Sequence, residues 1–220
     1  NVKQSCPKTR GQEEKLPFHI PIRMGLLGKD GKDMPLQLEG ETEPQGTDRI
    51  LELREEEQTF RFVGVKDKPV PSLMRDFSAP VKIGQSVLST KDLIFLMAND
   101  SNAFNRWEAA QQLHERVLLD ITEIMSKKMS ANIDLREYGG ACEKVLMDES
   151  LSPGLRAEIL TLPDRKIVLD KCQGFDLIAL ERAYDLVQNQ LAQGLKKALT
   201  TTYKKMMEGT KDTYTPEFAD

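Results

Sequence analysis

Residues 18–26 carry the sequence Phe-His-Ile-Pro-Ile-Arg-Met-Gly-Leu, in which every second side chain is apolar. Because successive side chains of a β-strand point to opposite faces of a sheet, this alternation puts one apolar row on a single face. The row consists of Phe18, Ile20, Ile22, Met24 and Leu26. The stretch therefore predicts a β-strand with one face in a hydrophobic core.

The residues that follow predict a β-hairpin. Residues 28–31, Gly-Lys-Asp-Gly, supply a turn that tolerates positive φ, and the apolar alternation resumes over residues 34–38. Pro21 and Pro35 predict edge positions for the two strands, because proline has no N–H to donate to a neighbouring strand.

Shorter segments extend the β pattern on both sides. Residues 1–15 are polar and broken by proline and glycine, which predicts an extended segment. Further strands are predicted at 49–53, 59–65, 73–77 and 80–83, with the Glu55-Glu56-Glu57 run as a solvated turn. Several short strands separated by turn residues favour a small antiparallel β-sandwich.

From Ser89 onward the apolar spacing changes to three and four residues, which is typical of helices. Ser89 is placed to cap a first helix, and a longer helix is predicted over about residues 102–129. Ser152 and Pro153 begin another helix that ends near residue 163, and a last one covers 177–207. The predicted fold class is β then α: a sandwich domain over residues 1–84 and a helical bundle or solenoid segment over 85–220.

The charge distribution argues against nucleic acid as a partner. The first 88 residues carry 14 basic and 14 acidic side chains, and the remainder carry 17 and 21. Neither part has the basic excess that neutralises phosphates. No apolar run has the length of a membrane span, and no secretory leader is visible in a chain that begins at Asn1 without methionine.

The residues that most often bind metals are sparse. The three cysteines Cys6, Cys142 and Cys172 form no C-x-x-C pair, which predicts reduced thiols, compatible with a cytosolic setting. His114-Glu115 resembles the start of H-E-x-x-H, but Leu118 occupies the second histidine position, so that zinc motif is absent. We expect His114 to be a packed, hydrogen-bonded histidine rather than a ligand.

Other candidate motifs also favour structural roles. His19 is predicted to be a partly exposed strand residue, and the glycines Gly25, Gly28 and Gly31 to be turn residues rather than a phosphate cradle. Asp148 and Glu149 form an acidic pair before a helix, and two adjacent carboxylates alone are a poor metal cage. No catalytic, metal or substrate-binding residue is expected in this chain.

Four parts of the chain resemble the zinc-dependent aminopeptidase N family in its bacterial form. They lie at residues 18–36, 57–82, 102–111 and 145–163. The most specific runs are Phe-Ser-Ala-Pro-Val at 77–81 and Ala-Glu-Ile-Leu-Thr-Leu-Pro at 157–163. The order and separation of these parts match the family across nearly the whole chain.

The resemblance implies the sandwich third domain, lacking its first strand or strands, and the truncated start of the helical C-terminal domain. In that family these domains bridge and enclose the active site. A Gly-Ala-Met-Glu-Asn motif anchors the substrate and an H-E-x-x-H motif binds zinc, and this sequence contains neither. The chain is then an inactive, non-catalytic portion without a cofactor of its own. Its parent enzyme would hold one zinc and remove N-terminal residues from peptides. The implied partners are the missing catalytic domain and the remaining C-terminal helices of that parent.

Two alternatives stay open at this stage. The chain could be a stand-alone protein-interaction module, or part of a relative whose catalytic domain has lost its zinc ligands. Independently of these, a helical array without its neighbours predicts an exposed apolar patch on the last helix, around Leu180, Leu186, Leu191, Leu195 and Leu199.

Overall fold

Five short strands precede seven helices in the part of the chain that the computed structural model describes, namely residues 1–84, 88–129, 133–171 and 177–208. The strands are β1 (Val2–Lys3), β2 (Ile20–Leu27), β3 (Arg49–Leu53), β4 (Glu57–Gln58) and β5 (Val70–Leu73). The helices are α1 (Thr90–Asn99), α2 (Ala103–Ser126), α3 (Arg136–Met147), α4 (Pro153–Leu160), α5 (Arg165–Lys171), α6 (Leu177–Gly194) and α7 (Lys196–Met207). The chain divides into two compact units, Asn1–Leu113 and His114–Asp220.

The β part is built around β2. This strand lies between β3 and β5 in an antiparallel sheet, and β1 pairs with β4 in a separate two-stranded ladder. The predicted apolar row is buried where β2 forms, at Ile22, Met24 and Leu26, and the core is completed by Leu36, Leu51 and Leu53. Phe18 is exposed because the strand begins only at Ile20.

The predicted hairpin forms only at its turn, where the Met34 N–H donates to the Leu26 carbonyl at 2.8 Å and Leu27 forms an antiparallel bridge with Asp33. Further along, β3 occupies this side of β2 from Met24 back to Ile20, so the segment after Met34 finds other partners. The backbone of Leu36 bonds to residues 45 and 46, and Leu38 forms a single bridge with Phe62. Leu36 is nevertheless fully buried. The apolar alternation therefore predicted which side chains are buried, but not which segments pair.

β2 is the central strand, but the edge position predicted for Pro21 is correct locally, because of the described strands only β3 pairs with β2 at this residue. Pairing with β5 starts only at Met24, so Pro21 lies beyond the end of that ladder. There Ser78 takes the place of a strand residue. Its hydroxyl donates to the Pro21 carbonyl and accepts from the Arg23 N–H, both at 3.0 Å. Because no described strand pairs with Pro21 on this side, the missing N–H of the proline breaks no hydrogen bond between strands.

The strands predicted at 59–65, 73–77 and 80–83 are shorter or absent. Glu57, predicted to lie in a turn, instead begins β4, which ends at Gln58, and β5 ends at Leu73. The chain then enters a 3-10 turn in which Met74, Asp76 and Phe77 all have positive φ. Such backbone cannot continue a strand. Beyond it, residues 80–83 contain no strand.

Two helices begin at the capping residues that the sequence predicts. α1 begins after Ser89, whose side chain and that of Asp92 form a capping box, and α4 begins after the Ser152 cap. The single helix predicted over 177–207 is wrong, because it breaks at Leu195, whose φ of −93° and ψ of 3° lie outside helical geometry. The helices α3 and α5 were not predicted. The order of a β part followed by helices is confirmed.

Candidate functional site

A buried polar cluster in the unit Asn1–Leu113 is centred on Arg75, whose side chain is 2% exposed. Its guanidinium contacts three carboxylates: Asp33 at 2.6 Å, Asp48 at 3.2 Å and Asp100 at 3.3 Å. Its Nε donates to the Ser72 hydroxyl at 2.9 Å. We call these residues, together with Arg23, Asp76 and Asn105, the Arg75 cluster.

The members of the Arg75 cluster come from both kinds of secondary structure. Asp33 follows β2, Asp48 precedes β3, and Arg75 lies in the turn after β5. Asp100 is the C-cap of α1, and Asn105 lies in the first turn of α2, from where its amide donates to the Leu73 carbonyl at 2.8 Å. The cluster therefore joins the β part to the first two helices by ion pairs and hydrogen bonds.

Two backbone features make room for the Arg75 guanidinium. The positive φ values of Met74, Asp76 and Phe77 turn the chain sharply around it. In β2, a Cβ built on Gly25 would lie 2.5 and 2.6 Å from the two terminal guanidinium nitrogens. Gly25 was predicted to be a turn residue, and this is wrong: it lies inside a strand and is required by close packing. Gly31 does have the positive φ of a turn residue.

In the Arg75 cluster, burial disfavours the charged form of each group, and pairing with an opposite charge favours it. Burial acts to lower the pKa of Arg75, but hydrogen bonding to Asp33 and the charge of Asp100 raise it above its ordinary value. Burial would raise the pKa of Asp48, yet Arg23 and Arg75 together hold it below its ordinary value. For Asp100 the balance is reversed, because burial raises its pKa more than its hydrogen bonds and Arg75 lower it.

His114 occupies a second buried polar network, in the unit His114–Asp220. Its Nε2 lies 2.8 Å from the carbonyl oxygen of Ile159, and its Nδ1 lies 2.7 Å from the Tyr138 hydroxyl. Because a carbonyl only accepts, Nε2 carries the proton, and Nδ1 accepts from Tyr138. Burial lowers the pKa of His114, which favours this neutral form. The prediction of a packed, hydrogen-bonded histidine is confirmed.

The described thiols and the second histidine differ in their surroundings. Cys142 is buried, and burial raises the pKa of its thiol to about 12, whereas Cys6 is exposed. Cys172 lies outside the described residues. His19 is exposed just before β2, 3.8 Å from Glu52.

The acidic pair lies in the turn between α3 and α4, with each carboxylate used locally. Asp148 accepts hydrogen bonds from the backbone and hydroxyl of Ser150, and Glu149 forms an ion pair with Lys205. Within the described ranges, no three histidine, cysteine, aspartate or glutamate side chains are grouped so that they could hold a metal ion. No described helix is long and apolar enough to cross a membrane.

Part of the helical surface is apolar. On α7, Leu199, Tyr203 and Met206 are 43%, 65% and 47% exposed. We call these three residues the α7 stripe. Of the five residues predicted to form the exposed patch, Leu199 alone is exposed, because Leu180 and Leu195 are buried and Leu186 and Leu191 are half-buried.

Comparison with protein families accounts for both parts of this fold. Residues 1–86 match the family described as "Domain of unknown function (DUF3458) Ig-like fold". Residues 90–219, more than half of the chain, match "Domain of unknown function (DUF3458_C) ARM repeats". The chain thus combines an Ig-like β fold with armadillo-type helical repeats, and it belongs to the DUF3458_C family, whose model covers more than half of it.

Relatives place this combination in aminopeptidases. Aminopeptidase N of Escherichia coli K12 is 35% identical over 92% of the chain, and aminopeptidase N of Haemophilus influenzae is 31% identical over 92%. A crystal structure of Legionella pneumophila aminopeptidase A in complex with aspartic acid is 30% identical, covers 90% of the chain and superposes with a TM-score of 0.70. The chain spans only 22%, 23% and 21% of the lengths of these three proteins. It therefore corresponds to one region of an aminopeptidase.

Proposed function

We propose that the chain is a non-catalytic, bridging portion of a zinc-dependent aminopeptidase that removes N-terminal residues from peptides, and that it is inactive alone. The proposal includes the division into a sandwich domain over 1–84 and a helical domain over 85–220. Similarity to aminopeptidase N along 92% of the chain supports the parent activity. The non-catalytic role rests mainly on His114.

Both ring nitrogens of His114 are engaged in hydrogen bonds inside the protein, at 2.7 and 2.8 Å. A zinc-binding histidine must leave one nitrogen free for the metal. The buried thiol of Cys142 has a raised pKa, which disfavours the thiolate that binds zinc. The described residues therefore do not fit a zinc site, and we assign the single zinc of the proposed activity to another region of the parent.

The Arg75 cluster supports the bridging role. A protein segment that connects two domains in a fixed geometry needs contacts that resist bending at the junction. Arg75 and Asn105 supply such contacts between the strands and the first two helices inside one compact unit. Their directional hydrogen bonds fix orientation more strictly than apolar packing does.

The α7 stripe supports the proposed partners. Each armadillo-type repeat buries its apolar face against its neighbours, so an exposed stripe is expected where a further helix packs. We propose that the remaining C-terminal helices of the parent cover Leu199, Tyr203 and Met206, and that its catalytic domain contacts the sandwich domain. The substrates would then be peptides bound by the whole parent.

Two measurements test the proposal. The reading frame that precedes the codon of Asn1 should encode Gly-Ala-Met-Glu-Asn followed by H-E-x-x-H. The purified 220-residue chain should hydrolyse no aminoacyl-arylamide substrate and should hold no stoichiometric zinc by elemental analysis.

The alternative function gives different results. A reading frame without these motifs would favour a stand-alone interaction module. Motif positions occupied by residues that cannot bind zinc would indicate an inactive relative of the enzyme. Chelator-sensitive peptidase activity in the pure chain would contradict the non-catalytic role.

A further inference from the structure

Three residues connect α1 to α2, and each of them bonds to the β part. We call them the connector: Asp100, Ser101 and Asn102. Asp100 accepts a hydrogen bond from Arg75 at 3.3 Å, and the Ser101 hydroxyl donates to Asp33. The side-chain amide of Asn102 donates to Asp76 at 2.7 Å. The chain between the two helices is therefore held to the β part along its whole length.

The turn after β5 draws support from the same helices. Met74, Asp76 and Phe77 have left-handed φ values of 58°, 53° and 52°, which residues other than glycine keep only where their surroundings hold them. The Asp76 N–H donates to the Asn102 side chain at 3.4 Å. The ring of Phe77 packs against that of Phe104 in α2, with 5.9 Å between their centres. The native backbone of this turn therefore depends on the connector and on the start of α2.

The two helices depend on the β part in return. α1 has only ten residues, and a helix this short is marginal in water without tertiary contacts. Its last residue, Asn99, packs so closely on the turn after β2 that a Cβ built on Gly31 would lie 2.6 Å from the Asn99 Oδ1. In the first turn of α2, the amide of Asn105 donates to the buried Ser72 hydroxyl and to the Leu73 carbonyl, both at 2.8 Å. The helices and the strands thus stabilise each other.

We propose that α1 and the first turn of α2 unfold together with the β strands, as one cooperative unit that is separate from α3–α7. Cooperative units of this kind consist of elements that stabilise one another, and the compact unit Asn1–Leu113 contains all of these elements. The unit extends beyond Asn105, although the two matched families divide the chain between residues 86 and 90. The division into 1–84 and 85–220 then describes the architecture, but not the unfolding. This inference does not depend on the proposed function.

Native-state hydrogen exchange of the whole 220-residue chain tests the proposal directly. Exchange is followed by mass spectrometry at increasing urea concentrations below the unfolding transition, because amides that open together share one dependence on urea. Peptides from α1 should show the protection and urea dependence of peptides from β2, and should differ from peptides of α3 and α6. Opening of α1 before β2 would overturn the proposal, and so would a single opening shared by all strands and helices.

Two matched cap variants give a second test. Ser89 caps α1 by accepting from the Asp92 N–H, and Ser152 caps α4 by accepting from the Leu155 N–H, both at 3.2 Å. Loss of such a cap favours opening of the helix by about fivefold. Ser89→Ala should therefore lower the protection of α1 and of β2 by the same factor, although Ser89 lies outside the strands. Ser152→Ala should lower the protection of α4 and leave β2 unchanged.

The cap variants have two contrary outcomes. If Ser89→Ala lowers the protection of α1 alone, this helix opens by itself and the proposal fails. If both variants lower the protection of β2 equally, the whole chain has one opening, which also contradicts the proposal. The exchange profile of the unsubstituted chain decides the question even where a variant folds poorly.

Discussion

The guanidinium of Arg75 lies directly against the α-carbon of Gly25 in the central strand. The space above this glycine is filled by charged nitrogens that are themselves held by Asp33, Asp48 and Asp100. Arg75 therefore connects the sheet to the first helices by a contact that requires glycine at position 25.

Gly25→Ala should destabilise the chain by about 3 kcal/mol. The new methyl group must displace Arg75, which combines overpacking with disruption of a buried ion pair. Urea unfolding measures the change. Gly140→Ala is the control: position 140 is within α3, with nothing within 4 Å of the added Cβ, so alanine should stabilise by about 0.5–1 kcal/mol. A Gly25→Ala variant as stable as the parent would show that Arg75 can move freely.

Arg75→Met should cost about 3–5 kcal/mol, because it leaves buried carboxylates without their cation. Arg54→Met is the matched control, since Arg54 pairs with Glu52 on an exposed surface and such pairs contribute about 1 kcal/mol or less. Both variants are compared by urea unfolding at neutral pH. Equal losses in the two variants would contradict the central role given to Arg75.

The stability of the helical unit should fall as the solution becomes acidic. His114 has a pKa below its ordinary 6.5 in the folded chain, so the unfolded chain takes up its proton first. Its contribution is complete above 6.5 and is lost as the pH falls toward the folded value. The measurement is the slope of unfolding free energy against pH. His114→Gln, which keeps an amide donor for the Ile159 carbonyl, should lack this part of the slope.

Tyr138→Phe should cost about 1–3 kcal/mol by leaving the buried Nδ1 of His114 without a donor. Tyr203→Phe, which removes a hydroxyl from an exposed ring of the α7 stripe, should leave stability unchanged. Thermal unfolding of the two variants side by side gives the comparison. No loss in Tyr138→Phe would mean that a water molecule replaces the hydroxyl.

Leu199→Glu should reduce self-association of the isolated chain without changing its unfolding midpoint. Leu199 belongs to the α7 stripe and is 43% exposed, so a charge there disturbs contacts between molecules more than packing within one. Sedimentation velocity at increasing concentration measures the effect. Leu195→Ala is the contrast, because Leu195 is buried and its truncation should cost about 2–5 kcal/mol. A parent chain that stays monomeric throughout would leave the stripe without an interface role.

Local signals allowed much of the fold to be predicted from the sequence. The bounds of β3 and the caps Ser89 and Ser152 were correct, because alternation and capping depend on neighbouring residues. Strand pairing failed because the partners of β2 are chosen by the whole core. α3 was missed because Gly139 and Gly140 lower its helix propensity, although its apolar residues recur at helical spacing.

The His114 network and the Arg75 cluster also differ in how far the sequence predicts them. The role of His114 was predictable from its place beside an apolar stripe. The Arg75 cluster was not, because Asp33, Asp48 and Asp100 are far apart in sequence and each looks like an ordinary surface aspartate. The only local sign was a glycine inside an alternating strand, Gly25, which indicates close approach by another group.

The Ser78 hydroxyl at the end of β2 has a consequence for encounters between molecules in a crowded solution. An extended segment of another chain extends a sheet by bonding to free N–H and carbonyl groups along its edge. Beside Ile20–Arg23 the groups that would start such growth are the Arg23 N–H and the Pro21 carbonyl, and Ser78 already occupies both. Pro21 adds no N–H of its own. This end of the sheet therefore leaves neither group free to bond to an incoming strand.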